Sequence, residues 1–379
     1  MHAVTPHRVA LLAAAVLLAL LAVEFSFGFW LGGDPLAGLS VTRNGSWRYD
    51  VTYPGIAQAD RDVLYRRDRF GFRGSYPDVS RIDLLVVGGS TAAQRFVSED
   101  KTWLSVLKRN LVSDGLCIGV ANAAFSGRST FGHLEEFKHW FPRILRLHAD
   151  YIMLYVGATD MFLDAPNGVW DRVFRDHPWR LKEIVKNHSA FYRWFREYAG
   201  PYIPKHYDLS FLSLNFENNE WVTEPTRTGY AALLAPRVAA YRDRLGKLLE
   251  LTRAMGAVPI LVTQDRGDSR LTDDGVVGLE RTHGRTMQSY NDKLLGRLDR
   301  SHMNGVDYHR ILSVFNRATL DVCRANGAVC VDQAKEVRFE VGDFSDHAHL
   351  TSRGSRRLGE YLAQRLESLF SGRRCGTGT

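Results

Sequence analysis

Five short runs of this chain are apolar on nearly every residue instead of on alternate ones, and that pattern narrows the fold more than any other feature. The runs are IDLLVV (82–87), CIGVANAA (117–124), YIMLYVG (151–157), AVPILVT (257–263) and GAVCVD (327–332). A strand with one wet face alternates, whereas a strand covered on both faces has no polar side to show. Between the runs the apolar residues take a helical period. Trp103, Leu104, Leu107 and Leu111 share a face over 102–112, and Val238, Tyr241, Leu245, Leu248 and Thr252 share another. Gly256 stands where that second helix should stop, and Leu358, Tyr361, Leu362, Leu366 and Leu369 mark a last helix. Buried strands alternating with helices predict an α/β chain built as a three-layer α/β/α sandwich around a central parallel sheet. Residues 162–232 break the rhythm with aromatic, Pro- and Arg-rich sequence such as HSAFYRWFREYAGPYIPKHY. They read as an insertion or lid over the sheet, or else as extra helices completing the core.

The ends of the chain predict its setting. Residues 9–31, VALLAAAVLLALLAVEFSFGFWL, are long enough to cross about 30 Å of hydrocarbon as one helix. Glu24 interrupts the run only near its distal end, and Arg8 precedes it, which favours a cytoplasmic N-terminus. A cleaved signal peptide would need small residues after the apolar core, where this chain has EFSFGFW, so residues 1–31 read as a cytoplasmic tail and retained single-pass anchor. Residues 32–80 read as a polar lead-in packed on the body, 81–370 as the body, and 371–379 as a loose tail. The net charge of +7 is dispersed among acidic residues, with no basic run bearing aromatic platforms. Nucleic acid is therefore not an expected partner, while anionic headgroups or acidic glycans suit the excess. Four cysteines are too few for a disulfide scaffold, although Cys323 and Cys330 could pair across ANGAV in an oxidising compartment. No Cys/His spacing calls for a metal, and no motif calls for a cofactor.

In an open parallel sheet, functional groups gather where strands end at their carboxyl edge. The first run ends at Gly88-Gly89-Ser90, the second leads through Asn122 to Ser126-Gly127, and the third ends at Gly157-Ala158-Thr159-Asp160. Near the C-terminus, in DFSDHAHLTSRG, Asp346 precedes His349 by three residues. A serine after a strand is more often a helix cap than a nucleophile. The set together supplies what acyl transfer requires: a hydroxyl, an imidazole to take its proton, a carboxylate to fix the imidazole tautomer, and glycine N–H groups that can approach an oxyanion. The G-x-S-x-G elbow of α/β-hydrolases is incomplete because position 92 is alanine, and that fold places acid and base on separate loops.

These residues carry a resemblance. GGST (88–91), NAAFSG (122–127), GATD (157–160) and DHAH (346–349) resemble the four ordered blocks of the SGNH/GDSL hydrolase family, over roughly residues 65–370. GFRG, the TW at 102–103 and HLTSRG (349–354) are similar to a membrane-anchored branch associated with bacterial envelope polysaccharide. The resemblance implies a flavodoxin-like sandwich with Ser90 as nucleophile, His349 as general base and Asp346 orienting the imidazole. It implies oxyanion donors at the Ser90 N–H, the Gly127 N–H and the side chain of residue 159. The family usually has asparagine there, and this chain has Thr159. It further implies an esterase or acyltransferase, anchored in the bacterial inner membrane and facing the periplasm. The substrate would be O-acetylated exopolysaccharide or another small ester, with a membrane-embedded polysaccharide-assembly partner in the case of transfer. The rival expectation is an SGNH-like polysaccharide-binding or assembly protein weakened in turnover by Thr159.

Overall fold

The computed structural model describes residues 6–52, 60–209, 216, 219–282 and 302–375. The helix α1 (Pro6–Phe27) has no buried residue, and its mean hydropathy makes it long and apolar enough to cross a membrane. The lead-in then forms strands β1 (Gly45–Thr52), β2 (Asp62–Arg67) and β3 (Arg73–Ser75). Next come β4 (Ile82–Gly88), the one-turn helix α2 (Ser90–Ala93), α3 (Trp103–Ser113), β5 (Val120–Asn122), α4 (Thr130–His139) and β6 (Ala149–Tyr155). The irregular middle holds α5 (Leu181–His188), α6 (Ala190–Trp194), β7 (Lys205–Asp208), β8 (Trp221–Val222) and α7 (Tyr230–Leu233). The α/β rhythm resumes with α8 (Ala235–Ala254), β9 (Val258–Val262), β10 (Ser269–Thr272), β11 (Gly275–Leu279), α9 (Gly305–Ala325), β12 (Val329–Val331), α10 (Gln333–Glu336) and α11 (Ser352–Leu366).

The main sheet has the order β12-β9-β6-β4-β5-β3, with every pair parallel except the β3 edge. All five runs found in the sequence are its parallel strands. From β4 the chain turns to β5 on one side, then crosses back to β6 on the other. That is the flavodoxin-like order, and its switch point lies at the carboxyl end of β4, where such sheets open a crevice.

The side chains of β4 explain why its sequence does not alternate. Leu84 and Val86 pack in one core cluster with Trp103, Leu107, Leu358 and Leu362, while Leu85 and Val87 pack in another with Tyr241, Phe315 and Trp140. Helices α3 and α11 therefore cover one face, and α4, α8 and α9 the other. Each of these four β4 side chains removes roughly 1.5–3 kcal/mol worth of apolar surface from water, so the middle of the strand is apolar on both faces.

The lead-in is rich in strands: β1 pairs with β2 and β7, and β3 extends the main sheet. One expectation needs correction: the tail is not loose from residue 371, because Cys375 is disulfide-bonded to Cys117 and Arg374 bridges to Leu116. Cys323 and Cys330 form the second disulfide.

Candidate active site

The β4 strand ends on two glycines because the backbone is crowded there. A methyl group at Gly88 would lie 2.6 Å from the Tyr155 carbonyl, and one at Gly89 would lie 3.2 Å from the Thr159 hydroxyl oxygen. Gly89 occupies the N-cap of α2 with no side-chain cap, so Ser90 is the first helical residue and is not serving as the cap. Ser90 is half-buried at the switch point.

The turn carrying Ser90 is fixed from below by its own carbonyls. Asn122 donates from Nδ2 to the Ala92 carbonyl at 2.7 Å. Arg73 donates to the carbonyls of Ala93 (2.5 Å), Gln94 (2.9 Å) and Val97 (3.1 Å) while pairing with Glu99. Gln94, at φ 45°, accepts from the Trp103 N–H at 2.8 Å and donates to the Ser355 hydroxyl at 2.5 Å. A buried guanidinium with every donor satisfied holds a shape that backbone alone would not keep.

The second segment leads off β5. Arg67 donates to the Asn122 and Ala124 carbonyls and stacks 4.3 Å from the Phe125 ring centre, while the Phe125 N–H donates to the Gly88 carbonyl at 3.1 Å. Gly127 follows at φ 79°, left-handed backbone that glycine adopts freely. The Trp170 indole lies so close that a β-carbon at Gly127 would be 2.7 Å from it, and Asn167 donates to the Gly127 carbonyl at 2.9 Å. Neither the Ser90 N–H nor the Gly127 N–H has an acceptor among the described residues.

The third segment leaves β6. Asp160 is turned into the body: it is buried, accepts from the Thr130 N–H and hydroxyl, and lies 3.5 Å from Arg244, which donates to the same hydroxyl. Burial pushes its carboxyl above the usual carboxylate range despite those hydrogen bonds. Its task is to tie the Thr159 loop to the start of α4.

The fourth segment enters α11. His349 Nδ1 lies 2.7 Å and 2.9 Å from the two Asp346 oxygens, and the N–H groups of Ala348 and His349 also donate to Asp346 Oδ1. Burial by itself would raise the Asp346 carboxyl, but the facing His349 charge and these donors hold it well below the carboxylate range. Burial would likewise lower His349, and Asp346 overrides it to leave the imidazole above its ordinary value. One third of the His349 side chain is open to solvent. Burial pushes His347, between the two, down to about 4, and Asp265, just after β9, up to about 7.

Asp346 and His349 are thus directly joined, and Thr159 stands beside Gly89. Ser90 makes no direct hydrogen bond to His349 among the described residues. Its turn is instead linked to α11 by the Gln94–Ser355 bond, and Thr91 donates to Gln264 at 2.9 Å on the β9 side. Sequence reasoning missed Arg67, Arg73 and Gln94. Arg67 and Arg73 stood in plain view in RRDRFGFRG, where arginines among aromatics signal stacking as readily as a solvated linker. A cavity of about 470 Å³ adjoins the second segment, walled by Ser126, Arg128 and Trp170, by Trp47 and Tyr49 of the lead-in, and by Arg95 just after α2.

No family model and no curated protein matches this chain. Among solved structures it is similar to a lipase/acylhydrolase from Enterococcus faecalis, at 14% identity and TM-score 0.41, covering 79% of this chain and 100% of that one. It is also similar to Est24, a carbohydrate acetylesterase from Sinorhizobium meliloti, at 10% identity and TM-score 0.39, covering 76% and 100%. A third is Axe2, an acetylxylan esterase from Geobacillus stearothermophilus, at 10% identity and TM-score 0.39, covering 75% and 94%. Likeness this distant carries no chemistry from those enzymes to this chain, whose case rests on its own residues.

Proposed function

We propose that this chain is a serine esterase or acyltransferase of the SGNH type, held at the membrane by α1 with its body extracytoplasmic. Ser90 attacks the ester carbonyl, and His349 takes its proton and later returns it to the leaving alcohol. Asp346 fixes the tautomer that leaves Nε2 free. The observation that carries this reading is the Asp346–His349 pair, with both carboxylate oxygens on Nδ1, on the loop that leads into α11, the helix bonded to the Ser90 turn through Gln94 and Ser355. The Ser90 and Gly127 N–H groups and the Thr159 hydroxyl are the donors for the tetrahedral oxyanion. Two disulfides support an oxidising compartment. The substrate is an O-acetylated envelope glycan or a related ester. Hydrolysis and transfer share the acyl-enzyme and differ only in whether water or a sugar hydroxyl accepts it.

The second reading, an SGNH-like polysaccharide-binding or assembly protein with little turnover, is favoured by one observation: residue 159 offers a short hydroxyl where an amide would reach further. Incubating the full chain with p-nitrophenyl acetate and a fluorophosphonate probe separates the two. The esterase reading expects covalent labelling that Ser90→Ala abolishes. An unlabelled wild type favours the binding protein.

A further inference from the structure

Residues 179–203 form a surface the candidate site does not use. Trp179, Leu181, Tyr198 and Tyr202 are 68%, 75%, 68% and 83% exposed, and Phe195 and Ile203 are exposed beside them. So much apolar surface in one segment of an otherwise well-packed body calls for an occupant. The segment is also joined to the end of α1. Glu24 accepts from the N–H groups of Ala190 and Phe191 and from the Trp30 indole, and the Phe29 N–H donates to the His188 carbonyl at 2.8 Å. Arg193 donates to the Phe27 carbonyl, and the Phe27 and Trp194 rings lie 5.6 Å apart. Gly28 permits the approach, since a β-carbon there would be 2.7 Å from the His188 carbonyl oxygen.

The charge of the surface is one-sided. Residues 175–205 carry seven Lys and Arg against three acidic residues. A cavity of about 280 Å³ behind α5 is walled by Arg43, Arg175, Lys186 and Arg196. Asp34 pairs with Arg43, and Glu183 with both Arg175 and Lys186, which leaves Arg196 without a carboxylate among the described residues. Trp and Tyr settle at the level of lipid headgroups, and Lys and Arg there attract anionic lipid.

We infer that residues 179–203, with Trp30 and Leu31, form a collar seated on an anionic phospholipid bilayer at the point where α1 leaves it. This rests on reading α1 as a retained anchor. The collar holds the body at a set height and tilt above the membrane, where a freely swivelling tether would let the candidate site face any direction.

The test uses the full chain in nanodiscs made with lipid brominated near the top of the acyl chains. Trp179 emission is taken as the difference between wild type and Trp179→Phe. The collar expects bromine to quench that difference, and expects more quenching when phosphatidylglycerol is mixed into phosphatidylcholine. Arg180 and Lys182, two exposed cations of that seven beside Trp179, are the ones to neutralise: Arg180→Gln with Lys182→Gln should remove the phosphatidylglycerol increment. Unquenched Trp179 overturns the collar, and Trp179 that is unquenched yet shielded from acrylamide points to a protein occupant instead. Quenching indifferent to phosphatidylglycerol overturns the anionic lipid assignment. Resistance of the chain to alkaline carbonate extraction reads the anchor separately, so loss of the collar and loss of the anchor are told apart.

Discussion

Asp346 is positioned to act through geometry. It accepts two backbone N–H groups besides the imidazole, so replacing it with asparagine keeps the loop's shape while presenting an amide that can stabilise the wrong tautomer. In the esterase reading, Asp346→Asn is expected to lower kcat on the order of 10⁴-fold, with the protein still folded by circular dichroism. The pH dependence follows from the same pair. His349 must be neutral to accept the Ser90 proton, and Asp346 holds the imidazole above its ordinary 6.5. The acid limb of kcat/KM should therefore lie on the alkaline side of 6.5, and in Asp346→Asn it should shift downward. A limb that stays in place in the variant would remove His349 as the base. Thr159 gives the converse test. One oxyanion donor is worth about 3 kcal/mol, and the hydroxyl stands in for part of that. Thr159→Asn should raise kcat by roughly tenfold or more if an amide there reaches the oxyanion, and a fall in kcat would show the hydroxyl to be the better-placed donor.

At the scale of elements, the Ser90 turn is built by neighbours far away in sequence. Strand β3 is only three residues long, yet its Arg73 satisfies three consecutive-turn carbonyls and is 3% exposed. Arg73→Met would leave those carbonyls and Glu99 without their partner inside the protein. Breaking a buried charged network from one side costs about 3–5 kcal/mol, and urea denaturation should show the unfolding free energy lowered by about that much. A change below about 1 kcal/mol would mean that water replaces the guanidinium. This arginine also shows where sequence reading stops. The five apolar runs, the helical faces and the strand-end residues were legible because each is written in contiguous residues at a fixed period. The cradle of Arg67, Arg73, Gln94 and Ser355 was not, because its members belong to four segments brought together only by strand order. Gly89 marks the boundary between the two cases: the glycine was visible in the sequence, but its closeness to Thr159 needed the β4–β6 pairing.

For the whole molecule, the C-terminal segment is fastened back onto the first strands of the main sheet. Cys117, just before β5, is bonded to Cys375 across 258 residues, and Arg373 from the same terminal segment reaches Asp83 of β4 and Asp150 of β6. The C-terminal segment thus clamps the amino ends of three neighbouring sheet strands, opposite the carboxyl edge that carries Ser90. The sequence hid this because Cys375 lies in a short, glycine-rich stretch with no period. A cross-link spanning so long a loop acts chiefly by restricting the unfolded chain, with an effect of up to about 5 kcal/mol. Since the clamp sits at the far edge, Cys117→Ser with Cys375→Ser should lower the Tm and the denaturant midpoint while leaving fluorophosphonate labelling of Ser90 unchanged at a temperature where the variant stays folded. The Cys323–Cys330 bridge closes a separation of only seven residues, so its removal should cost clearly less, because loop-closure entropy grows with loop length. If the short bridge proved the more costly to lose, the entropic account would fail, and the packing of α9 against β12 would be the better explanation.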